Sequence, residues 1–216
     1  MQSRWWVGQR QIQTGPALSA MNADMSAEDD GMDLGGLMAE IVPAGPSEEE
    51  KAWDMSPDMV FKANRPKDWQ AVKHGASLWI RQLKPQPKAK TILSAATRVI
   101  ASAEREAVIK VGVETDGWTW LDSNLLATID GGSSPGVWPF AGRIWVNGEI
   151  VRDSRPDLKQ KVEKSVRLKK GANSVLVQFE AAADTKGQLA NVFLLFHDAK
   201  DGTRIEDLVF DMEATP

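Results

Sequence analysis

The chain has no cysteine, which excludes disulfides, thiolate metal sites and thiol nucleophiles together. It has no tyrosine and only two histidines, His74 and His197, so a histidine-rich metal cage is excluded as well. No apolar run approaches the ~18 residues that a bilayer-spanning helix needs. The first residues, Met1-Gln-Ser-Arg-Trp-Trp-Val-Gly, run on into Gln-Arg-Gln-Ile-Gln-Thr, too polar for the apolar core of a secretory leader. Long helical periodicity is missing too, so no segment could cover a parallel sheet.

What is present divides the 216 residues in two. Residues 1–60 carry 11 acids and three bases (Arg4, Arg10 and Lys51), and seven of the eight methionines. Residues 61–216 carry 19 acids and 23 bases, an excess too slight and dispersed to predict a nucleic-acid face. The expected organisation is an acidic, Met-rich extension over 1–60 and a folded domain over 61–216. Residues 8–46, rich in Gly, Ala, Met, Asp and Ser, have a composition that stays disordered unless a partner orders it. Fixing about 40 such residues would cost about 40–80 kcal/mol of backbone entropy. Offsetting that needs roughly 1,600–3,200 Å² of apolar burial, which the few large side chains of the arm do not supply. Ser47 followed by Glu48-Glu-Glu50 predicts a capped short helix near 48–55.

From residue 76 the pattern is of strands. Leu78–Leu83 is closed by Pro85 and Pro87, Thr91–Ala101 is rich in branched side chains, and Ala107–Thr115 alternates Ile109, Val111 and Val113 with Lys110, Gly112 and Glu114. In Arg143-Ile-Trp-Val-Asn147-Gly148-Glu-Ile-Val-Arg152 the Asn-Gly pair, flanked by apolar runs, predicts a type I′ hairpin. Further turns fall at Lys170–Asn173 and Asp198–Gly202. Short strands with a turn roughly every ten residues predict an all-β, antiparallel jelly-roll sandwich.

Two of these pieces, Arg143–Val151 and Val166-Arg-Leu-Lys-Lys-Gly-Ala-Asn-Ser-Val-Leu-Val-Gln178, with Glu106–Gly117 before them, resemble the galactose-binding-like jelly-roll domains that accompany bacterial glycoside hydrolases and large surface or periplasmic proteins. The resemblance spans about 69–210. In the family the W-x-N-G hairpin follows the preceding strand almost directly; here Trp118–Ala141 intervenes. The resemblance implies a non-catalytic sandwich that binds sugars or other proteins, in a periplasmic or membrane-extrinsic setting, without fixing the ligand.

Gly132-Ser133-Ser134-Pro135-Gly136 matches G-x-S-x-G in letters alone, because Pro135 has no N–H to offer an oxyanion. Asp116, Asp122 and Asp130 have no regular calcium-loop spacing. No catalytic residue, metal or cofactor is expected. Trp118, Trp120, Trp138 and Phe140 lie in the intervening segment, where they could cap the core, contact a protein or stack on sugar rings. Trp5 and Trp6 form one apolar anchor of the arm, and Leu34, Leu37, Met38 and Ile41 a second. Trp5-Trp6-Val7-Gly8 can equally be the first strand of the sandwich. The functional expectation is a structural subunit, not an enzyme, that docks on a larger protein assembly through the arm and the aromatic segment, the extrinsic face of a membrane complex being one such setting. The alternative is a carbohydrate-binding module. If the arm only docks, removing residues 1–46 leaves the sandwich folded.

Overall fold

Alternation of branched and polar side chains makes these segments strands, and an apolar face on each sheet makes them a sandwich. The computed structural model describes residues 3–11, 53–62, 66–74, 78–88, 91–115, 118–121, 142–155, 162–181 and 189–213. The strands are β1 (Ser3–Gln11), β2 (Gln70–His74), β3 (Leu78–Trp79), β4 (Thr91–Ala101), β5 (Arg105–Thr115), β6 (Trp118–Leu121), β7 (Gly142–Val146), β8 (Glu149–Asp153), β9 (Val162–Glu163), β10 (Val166–Leu168), β11 (Gly171–Ala181), β12 (Leu189–Asp198) and β13 (Val209–Phe210). A single α-helix, α1 (Pro57–Phe61), and a 3-10 turn at Ile80–Gln82 complete the described elements.

The larger sheet runs β2-β1-β4-β11-β7-β8-β9, with β13 continuing the β1 side of β4. The smaller runs β10-β5-β12-β3, with β6 paired to β5. All named strand pairs are antiparallel. The fold is therefore the all-β sandwich that the sequence predicts. Between the sheets lies one core that includes Val7, Leu93, Ala95, Val177, Phe179 and Ile144 from the larger sheet and Ile109, Val111, Leu168, Leu194 and Phe196 from the smaller.

The turns carry their expected chemistry. Asn147 and Gly148 have φ of 52° and 87°, the paired positive values of a type I′ turn between β7 and β8. At the second turn Gly171 has φ 92°, and the buried Asn173 amide donates to the carbonyls of Lys169 (2.8 Å), Gly171 (3.1 Å) and Val99 (3.2 Å). Its oxygen accepts from the Lys169 N–H at 2.8 Å and the Asn147 amide at 2.9 Å. This turn carries the chain from β10 in one sheet to β11 in the other, so Asn173 latches a crossover. At the third, Asp198 and Asp201 accept from the N–H groups of Lys200 and Thr203, both at 2.8 Å, after which the chain also changes sheet.

Besides the expected strand Leu78–Leu83, of which only Leu78–Trp79 is strand and Ile80–Gln82 is a 3-10 turn, three boundaries differ from the sequence expectations. Ser3–Gln11 is not part of an extension but a strand between β2 and β4, so removal of residues 1–46 would take an interior strand, next to the edge, out of the sheet. The described helix begins at Pro57, where Ser56 caps it by accepting from the Met59 N–H at 3.4 Å; of the helix expected near 48–55, residues 48–52 lie outside the described set and residues 53–55 are not helical. Met55 and Val60 stand at the two positions that brace a helix start, and both belong to one apolar cluster. Third, Trp118 opens a strand. Its pairing with Thr115 leaves only Asp116-Gly117 as the connection from β5 to β6.

Candidate functional site

The outer face of the larger sheet is built in rows. One row, read across β1, β4, β11, β7 and β8, is Trp6, Ala96, Leu176, Trp145 and Ile150. The next row, on the same face, is Gly8, Ser94, Gln178, Arg143 and Asp153. An apolar stripe thus runs beside a polar one on the side of the sheet turned away from the sandwich core.

Segments from both ends of the chain cover this face. Val60 of α1, Trp69 and Met212 pack with Ala96, Leu176 and Trp145, while Trp6, Met55, Phe61 and Ile150 are half-buried at the margin. The indole of Trp69 rests on Gly8, where a β-carbon would come within 2.6 Å of Cε2 and 2.9 Å of Cδ1, so the close approach requires glycine. Trp53 packs on Ile92 farther along β4.

At one end of the polar row a carboxylate serves two guanidinium groups. Asp153, with 5% of its side chain exposed, accepts from Arg143 Nε at 3.0 Å and from Arg155 Nε at 3.0 Å. Arg155 Nη2 adds a contact to the other carboxylate oxygen at 3.1 Å. Arg143 lies 5.1 Å from the ring centre of Trp145, and Arg155 5.9 Å from that of Trp53. Each cation therefore sits between the carboxylate and an aromatic face, an arrangement that orients the planar groups strongly. Gln178 in the middle of the row donates to Ser94 Oγ at 3.1 Å, and its buried Oε1 has no partner among the described residues.

The sequence-predicted residues distribute as follows. Trp5 is 2% exposed and stacks on Phe210 at 5.9 Å between centroids, so its ring is spent inside the sandwich. Trp6 is on the outer face at the margin of the cover. Trp118 and Trp120 are on β6. Leu34, Leu37, Met38, Ile41, Trp138, Phe140, the 132–136 serine motif and the three aspartates Asp116, Asp122 and Asp130 lie outside the described residues. Among the described residues no group of three or more His, Asp and Glu comes together as a metal site. His197 holds Nδ1 at 2.9 Å from the Gly202 carbonyl, while its buried Nε2 has no partner among the described residues. No helix among the described residues is long and apolar enough to cross a membrane.

The sequence reading missed most of the cover, Val60, Phe61, Trp69 and Met212, and named Trp53 and Met55 only as apolar contacts of a helix near 48–55. Its one local signal was Met55-Ser56-Pro57, an apolar residue, a cap and a proline at a first helical turn. The Arg143–Asp153–Arg155 cluster was invisible because it depends on strand register.

No family model matches the chain, and no curated protein does. Among solved structures, a selenomethionine-labelled β-glucosidase from Kluyveromyces marxianus aligns with 13% identity and a TM-score of 0.37, and the same enzyme in complex with glucose with 12% and 0.38. Each alignment covers 64% of this chain and 15% of the other, so the chain spans less than a sixth of those enzymes. At that level the likeness decides neither fold nor activity.

Proposed function

We propose that the chain is a non-catalytic accessory subunit that docks onto a larger protein assembly through the acidic segment 12–52 and the ridge of α1 into which that segment leads. The observation that carries this proposal is the ridge. Met59 of α1 is 54% exposed, Phe61 at the end of the helix and Met55 just before its cap are half-buried, and the helix is seated over β11. Methionine side chains adapt to partners of varied shape, and an aromatic among them supplies the larger anchor. The segment re-enters at Trp53, immediately before the ridge, so a protein gripping one meets the other. Kinship with galactose-binding-like jelly rolls belongs to the same proposal, supported by the W-x-N-G hairpin and the Asn173 latch.

The test must spare β1. Arg10 lies opposite Ile92 across the β1–β4 ladder, and Trp53 packs on Ile92, so the segment leaves and returns at one corner of the sandwich. A Gly-Ser linker of about eight residues in place of 13–50 spans that corner at ~3.3 Å per residue. The tagged full chain is purified from its source cells in mild detergent beside the linker variant and Met59→Glu. The expected result is a stoichiometric complex with the full chain, lost in both variants while their thermal unfolding is unchanged. Retention of the partners at full stoichiometry by both variants would overturn the proposal. A full chain recovered alone, with tryptophan fluorescence that responds to a glycan and loses the response in Trp118→Ala, would replace it with carbohydrate binding.

A further inference from the structure

Charge is partitioned along this chain far more sharply than its net of −4 conveys. Residues 11–50 hold nine carboxylates, from Asp24 to Glu50, and no base. Residues 61–103 hold nine bases and one acid, Asp68. The fold lays much of the second stretch along the β2 edge of the larger sheet.

That edge is closed by side chains. The Gln82 amide donates to the Lys73 carbonyl at 3.0 Å and accepts from the Lys73 N–H at 3.3 Å. The Gln70 amide does the same for Lys84, at 2.6 and 2.9 Å. These two glutamines zip residues 80–88 onto β2 and satisfy backbone groups that would otherwise invite another strand. They also gather Lys73, Arg81, Lys84 and Lys88 along one border, with Lys67 in the turn leading into β2. All five are exposed. Lys67, Lys73, Lys84 and Lys88 have no carboxylate at ion-pair distance among the described residues.

The acidic stretch leaves the sheet at this border. Gln9 donates to the Pro85 carbonyl at 2.8 Å, and Gln11, the last residue of β1, pairs with Thr91, three positions beyond Lys88. We infer that the acidic stretch of residues 24–50 docks in cis on this lysine border. A segment tied at both ends to one corner of a domain faces its neighbour at an effective concentration in the millimolar range. Several weak ion pairs, each worth little alone, then suffice to hold it. Because Gln70 and Gln82 already occupy the edge, the contact is charge against charge rather than an added strand, and it weakens with salt as the screening length shrinks. The inference concerns the isolated chain and does not rest on the proposed assembly.

The test uses the purified full chain and a zero-length carboxylate–amine cross-linker, with the products mapped by mass spectrometry. Intrachain links from Lys73, Lys84 or Lys88 to acids between 24 and 50 are expected at low salt. They should fall ~10-fold at 1 M NaCl, where the screening length is ~3 Å. Links from Lys67, the one border lysine left in place, should also vanish in Lys73→Glu/Lys84→Glu/Lys88→Glu, whose unfolding transition is compared with that of the parent. Exposed Lys169, Lys170 and Lys200 serve as internal controls away from the border. In parallel, a fluorescent oligoglutamate should bind the variant with 13–50 replaced at least ~10-fold more tightly than the full chain, because the border is then vacated. Links spread evenly over control and border lysines, links confined to a covalent dimer, or equal oligoglutamate affinity would each overturn docking in cis. Short duplex DNA that binds the full chain and the variant alike would assign the border to nucleic acid instead.

Discussion

The two faces of the larger sheet follow different rules. The inner face is mostly apolar, Val7 beside Ala95 beside Val177 beside Ile144, with Thr97 and Asn173 as buried polar exceptions, and closes against a second sheet. The outer face sets an apolar row against a polar row and closes against pieces that are not strands: α1, Trp69, Trp53 and the C-terminal Met212. The inner face can be filled by any side chains of suitable volume and alternation. The outer face works only if particular residues meet, a glycine under an indole and one carboxylate between two guanidinium groups. The difference teaches where this protein stores stability and where it stores specificity.

The comparison breaks most severely at Phe179, which is 1% exposed on the inner face of β11. Phe179→Ala opens a cavity between the sheets and should cost about 3–5 kcal/mol, seen as a lower urea midpoint with little change in slope. A loss below ~1 kcal/mol would mean that the inner face is not close-packed. The outer counterpart is Asp153→Ala. Two guanidinium groups, 15% and 16% exposed, lose a common acceptor. The cost should be about 3 kcal/mol, the low end for a broken buried pair because both arginines retain some contact with water. Arg143→Met in that background should recover part of the loss, a non-additivity that simple cavity formation does not produce.

Gly8→Ala sharpens the comparison at a single atom. The added methyl overlaps the Trp69 ring, so the indole must shift off the sheet, at about 1–3 kcal/mol. Trp69→Leu alone also destabilises, yet in the Gly8→Ala background it should cost less than it does in the parent, since the clash is relieved. Equal costs in both backgrounds, read from chemical unfolding, would separate Gly8 from Trp69.

These sites also mark how far the sequence could be read. Inner-face strands were legible because alternation is local: Thr91–Ala101 has the same bounds in both, and Asn147-Gly148 announces its own turn through its backbone demands. β1 was ambiguous, since Trp5-Trp6-Val7 serves equally as an anchor or a strand until the partner strands are known. The turns at Lys170–Asn173 and Asp198–Gly202 were visible, but the sheet changes after them were not, because a turn motif does not name the next partner. The outer face was the least legible. Trp69 on Gly8 joins residues 61 positions apart in the chain, and the lysine border needs Gln82 to find Lys73. The candidate residues at Leu34, Leu37, Met38, Ile41, Trp138 and Phe140 fall outside the described residues, so the structure neither gathers nor separates them.

The smallest effect lies at the seam between the faces, where the chain passes from Ile205 to β13. Asp207 accepts from Ser102 Oγ and from Arg105 Nη2, the latter at 3.0 Å. The hydroxyl contact first, and the neighbouring guanidinium after the opposing cost of desolvation, hold this carboxyl below the usual aspartate range. A carboxyl whose folded value is depressed contributes stability above its unfolded value, near 3.9, and loses it as pH falls through the folded value. Asp207→Asn should therefore lower the melting temperature slightly at pH 7, and the difference should shrink as pH falls through the folded value. Asp207 is solvated, so the shift should be smaller than those at Phe179, Asp153 and Gly8. A melting difference that stays constant from neutral pH down to the acid unfolding of the protein would mean that Asp207 acts through packing rather than charge, and the seam would then belong with the inner face.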